Sequence, residues 1–190
     1  MKFVIKEVFE SLQKKKIYNE NMINPKHYRF CPMCGAKLQS QRLHNRIRLV
    51  CPHCRYVFYQ NPTPAVGVIL MRNNEILLVQ RKYEPRAGDW SLPAGFIEYD
   101  EEVEQAAVRE LKEETNLDIR LTGLFEVYSG KDDPRSHVVL ILYRGEIIGG
   151  ELRAGDDAIA ARFFPLDQLP ENIAFCCHRQ AIEKLKSDIL

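Results

Sequence analysis

The sequence contains no apolar stretch that approaches the roughly 20 residues of a membrane-spanning helix. It also has almost no excess charge, with a formal net charge of +1 at pH 7. This balance argues against nucleic acid or a membrane surface as a partner. Residues 1–16 carry too many charged side chains for a secretory signal. We therefore expect a cytoplasmic protein, and 45% hydrophobic with 28% charged residues is typical of a soluble globular fold.

Cysteine is more plentiful, at six residues, and four of them form two Cys-x-x-Cys pairs separated by residues 35–50. Four thiolates at this spacing suit one tetrahedral Zn²⁺. A site with four cysteine ligands has no open position, so we predict a structural role for zinc. A disulfide or redox role is the alternative. The segment between the pairs suits a short hairpin over residues 41–50. The predicted zinc ligands are Cys31, Cys34, Cys51 and Cys54.

Three glutamates, Glu110, Glu113 and Glu114, fall within five residues of a predicted helix that we expect to begin at an Asp100 N-cap. At about 100° per residue they occupy one arc of the helix surface, roughly 100° wide. The neighbouring arc is apolar and would face a core. Like charges repel, and a divalent cation such as Mg²⁺ or Mn²⁺ relieves that repulsion through oxygen ligands. The alternative is an ordinary solvent-exposed acidic face.

The stretch around this helix resembles the Nudix box, a motif of glycine, arginine and glutamates at fixed spacing. One position departs from the motif, because Asn116 replaces the usual glycine. Asparagine is the next-best residue in the left-handed conformation that ends many helices, so we expect Asn116 to serve. The matching residues are Gly95, Glu101, Arg109, Glu110, Leu111, Glu113, Glu114 and Leu117.

The order of predicted elements divides the chain into three parts. Residues 1–28 form an N-terminal extension with a helix over residues 1–20. Residues 29–60 form the zinc ribbon, and residues 61–190 the Nudix domain, with a proline-rich boundary at residues 60–64. Strands are predicted over residues 65–71, 76–80, 118–129 and 137–146, and a last helix over 176–186. This order, with the resemblance, implies an α+β fold: an α/β/α sandwich with a mixed sheet.

The resemblance also implies roles for the residues of the motif. Glu110 and Glu114 would be the principal Mg²⁺ ligands, and Glu113 a third ligand or the holder of a metal-bound water. The carbonyl of Ala94 or Gly95 would be a further ligand. Arg109 would orient the glutamates by salt bridges. Glu101 belongs to the motif, yet a helical wheel places it away from the other glutamates.

The general base is left open by the sequence. A loop glutamate that serves some family members aligns with Ala160 here. Glu110 doubling as base is our working hypothesis. The acidic residues that could substitute are Asp156, Asp157, Glu151 and Asp133.

The ribbon and the segments Tyr59-Gln60-Asn61-Pro62 and Trp90-Ser91-Leu92-Pro93-Ala94-Gly95 resemble a group of ADP-ribose and FAD pyrophosphatases. NADH pyrophosphatases are a second group, but their Ser-Gln-Pro-Trp-Pro-Phe-Pro motif is absent. The resemblance thus implies hydrolysis of ADP-ribose or FAD. Alternatives are an NADH pyrophosphatase, a hydrolase of damaged nucleoside triphosphates, and a nucleotide-sensing regulator that docks through its ribbon. A homodimer is expected only by analogy.

Substrate-binding residues are predicted around the motif. Arg81 and Arg86 would meet phosphate, and surface charge is their alternative role. Three aromatic residues are candidates to stack on an adenine, with core packing as the alternative for each. These three are Trp90, Tyr128 and Phe175.

Overall fold

The computed structural model describes residues 28–133, 136–155 and 157–189. The chain divides into two compact units, Met1–Asn61 and Pro62–Leu190. The helix predicted over residues 1–20 lies outside the described residues and stays a prediction. The three-part division of the chain and the homodimer also remain predictions.

The first unit is a small antiparallel sheet of three strands, β1 (Gln39–Leu43), β2 (Arg46–Val50) and β3 (Val57–Phe58). Gln39 pairs with Val50 and Leu43 with Arg46, so the predicted hairpin is confirmed. The turn between β1 and β2 places His44 at a positive φ of 51°. Cys31 and Cys51 are buried with Leu38 and Leu49 in the core of this unit.

The second unit is built on a mixed sheet of seven strands in the order β10-β5-β4-β9-β8, with β6 beside β5 and β7 beside β4. Strands β4 and β9 are parallel, and the other pairs are antiparallel. The strands are β4 (Thr63–Arg72), β5 (Glu75–Arg81), β6 (Trp90–Ser91), β7 (Ala94–Phe96), β8 (Leu117–Gly130), β9 (Val138–Gly150) and β10 (Ala158–Pro165).

Two helices cover the two faces of this sheet. Side chains alternate along β4, so Ile69 packs in one core cluster with helix α2 (Cys176–Ile189), while Val68 packs in another with helix α1 (Val103–Thr115). The predicted α/β/α sandwich with a mixed sheet is therefore confirmed. Neither α1 nor α2, the helices within the described residues, is long and apolar enough to cross a membrane.

Candidate active site on helix α1 and strand β7

Helix α1 begins at Val103, and its N-cap position is Glu102, whose side chain makes no capping hydrogen bond. The prediction that Asp100 caps the helix is therefore wrong. The segment before α1 is held by Glu101, whose Oε1 accepts a hydrogen bond from the Glu98 N–H at 2.8 Å. At the other end, Asn116 is left-handed (φ 58°, ψ 12°) and its N–H donates to the carbonyl of Lys112. The prediction for Asn116 is confirmed.

Arg109 joins three of the glutamates through one guanidinium group. Its Nε and Nη2 donate to the two carboxylate oxygens of Glu101 at 2.9 and 2.6 Å. Its Nη1 donates to Glu110 Oε1 at 2.8 Å and to Glu113 Oε2 at 3.0 Å. The hydrogen bonds from Arg109 lower the pKa of Glu101 to about 2. Glu101 thus reaches the cluster although it lies before the helix, which is why a helical wheel misplaced it.

Glu114 is the most buried carboxylate of the site, with 8% of its surface exposed. The Ala94 N–H at the start of β7 donates to Glu114 Oε2 at 3.0 Å. Burial raises the pKa of Glu114 to about 8, against the opposing effect of this hydrogen bond. A carboxyl group of this kind is readily protonated when no cation accompanies it.

Gly95, the next residue on β7, lies against the carboxylate of Glu110. A Cβ atom built on Gly95 would be 2.0 Å from the carboxyl carbon of Glu110. The absent side chain of Gly95 therefore provides the space that the carboxylate fills. Burial also raises the pKa of Glu110, although its hydrogen bond to Arg109 acts in the opposite direction.

Two adjoining clefts meet at these carboxylates. The first, of about 460 Å³, is lined by Lys82, Tyr83, Glu110, Glu113, Glu114 and Asp157. The second, of about 260 Å³, has Glu110, Glu114 and Asp157 on its wall as well. It also borders Arg81, Phe175 and His178. A ligand that spans both clefts would therefore pass Glu110 and Glu114.

The donor set of the first cleft fits a hard divalent cation. It offers carboxylate oxygens, which are the ligands that Mg²⁺ and Mn²⁺ prefer. Among the described residues, only the cysteine cluster brings three or more His, Cys, Asp or Glu ligand atoms within 4.8 Å of one another. A close cluster of that kind is not required for Mg²⁺, which keeps several of its waters and is held by one or two carboxylates.

The structure brings only some of the predicted substrate residues to the clefts. Arg81 and Phe175 line the second cleft, and the Arg81 guanidinium lies over the Phe175 ring at 5.1 Å. Arg86 instead faces Asp89, with 3.8 Å between their charged atoms.

The other two aromatic residues lie in or beside the core. Trp90 is 9% exposed and packs against Phe164 in a T-shaped arrangement, with 4.7 Å between ring centroids. Tyr128 packs against the same core cluster. Neither lines a cleft described above, so both match the core-packing alternative.

The candidates for the general base are scattered. Asp157 lines both clefts, and its carbonyl accepts a hydrogen bond from the Lys82 N–H at 2.8 Å. Asp133 lines the second cleft only. Ala160 pairs with Gln80 in the sheet. Glu151 lines neither cleft. Asp156 lies outside the described residues.

Among the cleft residues that sequence reasoning missed are four whose polar side chains could meet a ligand. Lys82 and Tyr83 follow directly after Arg81 at the end of β5, and nothing in their local sequence marks them. His178 had a detectable signal, because it shares a helical face with the apolar residues of α2. Those residues are Ala181, Ile182 and Leu185. The fourth residue, Asp132, lies between β8 and β9, and its Oδ2 accepts from the Cys176 N–H at 2.8 Å.

The four ribbon cysteines converge as predicted for a zinc site. Their ligand atoms all lie within 4.8 Å of one another. The sulfur atoms of Cys31 and Cys54, and those of Cys34 and Cys51, are 3.5 Å apart, well beyond the length of a disulfide bond. Backbone hydrogen bonding, first from the Cys54 N–H, lowers the pKa of Cys51 to about 6. Burial and the neighbouring thiols raise the pKa of Cys54 to about 12, so without a metal ion the cluster shares protons among its sulfur atoms. This cluster suits zinc and not a disulfide.

Comparison with known proteins identifies both units. The model of the NUDIX domain matches residues 61–185, and the model of the Nudix N-terminal zinc ribbon matches residues 29–60. The chain therefore belongs to the Nudix family, and the predicted class, a Nudix hydrolase with a zinc ribbon, is confirmed.

Two relatives indicate the range of the family around this chain. An ADP-ribose pyrophosphatase of Methanocaldococcus jannaschii is 49% identical over 118 residues, covering 62% of this chain and 70% of the relative. The NAD-capped RNA hydrolase NudC of Pseudomonas aeruginosa is 34% identical over 147 residues, covering 76% of this chain. The match spans 50% of that relative's length.

Solved structures agree with the fold. The crystal structure of a NUDIX hydrolase from Nitrosomonas europaea matches with a TM-score of 0.75 and 31% identity, covering 85% of this chain and 92% of that one. The NUDIX domain of Shewanella oneidensis NrtR, solved in complex with ADP ribose, matches with a TM-score of 0.57 and 26% identity. This second match covers 70% of this chain and 91% of that one.

Proposed function

We propose that the protein is a Mg²⁺-dependent pyrophosphohydrolase that cleaves a diphosphate bridge, with ADP-ribose as its preferred substrate and FAD as a related one. The observation that carries this proposal is that Glu110 and Glu114 line both adjoining clefts. A diphosphate at their junction would leave one cleft for each of its two substituents. The 49% identity with an ADP-ribose pyrophosphatase supports the choice of substrate.

The reaction adds water across the phosphoanhydride bond. A new bond forms between the water oxygen and one phosphorus, the bridging P–O bond breaks, and ADP-ribose gives AMP and ribose 5-phosphate. Mg²⁺, when bound, neutralises the bridge and lowers the pKa of the attacking water. Glu110 and Glu114 would hold the ion, with Glu113 and the carbonyl of Ala94 or Gly95 as further ligands.

Arg109 positions the carboxylates for this chemistry. By binding Glu101, Glu110 and Glu113 at once, it reduces their mutual repulsion and fixes their orientation. Glu110 accepts the proton from water in this proposal, because it lines both clefts at the point where the diphosphate would lie. Asp157 is the alternative acceptor, since it also lines both clefts.

Hydrolysis of NAD or of NAD-capped RNA is a second candidate, favoured by 34% identity with NudC of Pseudomonas aeruginosa. Because relatives of this chain are named NAD-capped RNA hydrolases, its net charge of +1 does not exclude a nucleic-acid substrate. Both candidates use the same chemistry at the bridge. They differ in the group joined to the diphosphate, so only a comparison of substrates separates them.

A substrate panel with Mg²⁺ and Mn²⁺ tests the proposal. It contains ADP-ribose, FAD, NADH, a nucleoside triphosphate and an NAD-capped oligoribonucleotide, with products identified by mass spectrometry. We expect the highest kcat/KM for ADP-ribose. In H₂¹⁸O, the label should appear in only one of the two product phosphates, which reports the phosphorus that water attacks.

The matched variant is Glu114→Gln, which keeps the shape of the side chain but removes its charge. We expect its turnover to fall below detection while its circular dichroism spectrum stays that of the wild type. Turnover at the wild-type rate with Mg²⁺ would refute the assignment of Glu114. A wild type that binds ADP-ribose without hydrolysing it would favour the regulator alternative.

A further inference from the structure

His178 is a buried titratable residue that the hydrolytic chemistry does not use. It is 6% exposed and lies in the first turn of α2. The N–H of Leu92 donates to its Nδ1 at 3.1 Å. A neutral imidazole carries one proton, and Nδ1 is the acceptor here, so the proton is on Nε2. Leu92 thereby fixes the imidazole as a donor at Nε2.

The Nε2–H group has a place to donate. His178 lines the second cleft, and Nε2 makes no hydrogen bond within the described part of the chain. Burial, followed by the charge of Arg81, lowers the pKa of His178 to about 4, so the ring stays neutral near pH 7. The fully buried side-chain atoms without a partner in the described part of the chain are Tyr128 OH and Asp132 Oδ1, and Nε2 is not among them. Nε2 is therefore accessible, and a ligand in the cleft that His178 lines can accept its proton.

The surroundings of His178 describe the group that would bind. The Phe175 ring lies 5.6 Å from the imidazole, between centroids, and offers an apolar surface. Asp132 lines the same cleft, and its buried Oδ1 has no hydrogen-bond partner among the described residues. The cleft thus offers one neutral donor and one acceptor beside an aromatic ring.

The charge of the second cleft argues against a second phosphate at this end. Its lining carries several carboxylates and a single cationic side chain, Arg81, whose Nε already donates to the Pro85 carbonyl at 3.0 Å. A phosphate away from the bound cation would be repelled by these carboxylates. An uncharged group with both hydrogen-bond donors and acceptors fits better. The carboxylates are Glu98, Glu110, Glu114, Asp132, Asp133 and Asp157.

We propose that His178 is a substrate-binding residue whose Nε2–H donates to an uncharged acceptor on the organic group next to the diphosphate. That acceptor is a ribose hydroxyl oxygen or a ring nitrogen of the base. Asp132 accepts from a neighbouring hydroxyl or amino group of the same ligand. This inference rests on the proposed function only for the choice of ADP-ribose as ligand.

The test separates the two nitrogen atoms of the ring. In His178→Asn, the amide oxygen can replace Nδ1 as the acceptor for the Leu92 N–H, but no group reaches the position of Nε2. Binding of ADP-ribose with Mg²⁺ is measured by calorimetry in the Glu114→Gln background, where turnover is absent. We expect His178→Asn to weaken the Kd about tenfold. The matched control is Ile182→Val on the same buried face of α2, which lowers stability without altering the cleft and should leave the Kd unchanged.

Analogues of ADP-ribose identify the acceptor. Analogues lacking one ribose hydroxyl form one arm, and deaza-adenine analogues lacking one ring nitrogen form the other. The analogue that lacks the partner of His178 should bind about tenfold more weakly to the Glu114→Gln protein and lose nothing further on His178→Asn. The arm in which this occurs tells a sugar contact from a base contact.

NMR of the native histidine tests the inference even if His178→Asn does not fold. Long-range ¹H–¹⁵N spectra should show His178 as the Nε2–H tautomer at pH 7, and the Nε2 resonance should shift when ADP-ribose binds. An unchanged Kd in folded His178→Asn, or an unmoved Nε2 resonance at saturation, would overturn the inference. If ADP-ribose is hydrolysed but neither measurement responds, only the inference fails. If both respond without hydrolysis by the wild type, only the proposed function fails. With no hydrolysis and no response, both fail.

Discussion

The carboxylate of Glu110 occupies the space where a side chain of Gly95 would be. The carboxyl carbon and one oxygen of Glu110 both lie 2.0 Å from the position of a Cβ atom on Gly95. Gly95 belongs to β7, which pairs with β4 in the sheet, so its backbone is held in place. The glycine of the motif therefore acts as a spacer for a glutamate fifteen positions later.

Gly95→Ala should reduce activity far more than stability. The added methyl group must displace the Glu110 carboxylate, because the strand cannot move without breaking its pairing with β4. We expect kcat on ADP-ribose to fall about 100-fold, the loss typical of a catalytic group misplaced by about 1 Å. The melting temperature should change by only a few degrees, since the displaced group is the end of a flexible side chain.

Gly149→Ala is the control for this prediction. The nearest atom to a Cβ on Gly149 would be the Asp118 Oδ2 at 3.4 Å, which is ordinary contact and lies outside both clefts. Its kcat should remain that of the wild type. Full activity of Gly95→Ala would show that the position of Glu110 is not critical.

Arg109→Lys should lower activity although the positive charge is kept. A lysine ammonium is a compact charge, so it cannot bind Glu101 through two nitrogens while a third holds Glu110 and Glu113. We expect a 10- to 100-fold loss of kcat/KM, the usual effect of losing a group that orients metal ligands. The exposed ion pair of Arg120 with Glu146 supplies the control, Arg120→Lys, which should retain full activity. Equal activities of the two variants would contradict the role of Arg109.

The sequence predicted the local part of this site and missed the part made by distant contacts. The spacing of Glu110, Glu113 and Glu114 and the helix end at Asn116 follow from helix geometry, which is a local property. Glu101 could not be placed by a helical wheel, because it joins the cluster through a side-chain contact across eight positions.

Long-range packing decided the remaining positions. The only tryptophan, Trp90, was equally suited to stacking on a ligand or to filling a core, and its neighbour Phe164 on β10 decided the outcome. Asp157 reaches the clefts because β10 begins beside the end of β5 and pairs there with Arg81. His178 reaches the second cleft from the first turn of α2. No spacing rule in the sequence relates these elements.

The stability of the magnesium-free protein, with its zinc retained, should fall between about pH 6.5 and 8. Burial raises the pKa of Glu114 from 4.5 to about 8 in the folded state. In this interval the folded protein holds a proton on Glu114 that the unfolded chain has lost. The free energy of unfolding therefore decreases as pH rises, by at most about 1.4 kcal/mol per pH unit from this group.

Urea unfolding of the wild type and of Glu114→Gln across this interval measures the effect. The variant should have a smaller decrease, because glutamine does not titrate. The interval begins at pH 6.5 because of His178, whose pKa is about 4 in the folded protein and 6.5 in the unfolded chain. Between these two values the unfolded chain binds the extra proton, so His178 makes stability rise with pH there. Parallel pH profiles of the two proteins would show that the Glu114 carboxyl is not protonated in the folded state.

Removal of zinc should unfold the ribbon without removing the cation site on α1. The two units are separately compact, and a small sheet of three strands has little core to stabilise it without metal. Treatment with a zinc-selective chelator should increase amide hydrogen exchange in residues 29–60 and leave residues 62–190 protected. Hydrolysis of ADP-ribose with excess Mg²⁺ should continue.

Cys51→Ser should reproduce the effect of the chelator, whereas Cys176→Ser, a cysteine outside the cluster, should not. If chelation abolished activity and only Zn²⁺ bound at Glu110 and Glu114 restored it, zinc would be the catalytic ion and the structural role predicted for it would be wrong.

A crystal structure with Mn²⁺ and a methylene-bridged analogue of ADP-ribose tests the central claim most directly. The account predicts an anomalous manganese peak about 2.1 Å from carboxylate oxygens of Glu110 and Glu114, in contact with the oxygens of the bridged phosphorus atoms. The same two side chains without a metal ion, turned to bulk solvent while the analogue is bound elsewhere, would contradict it.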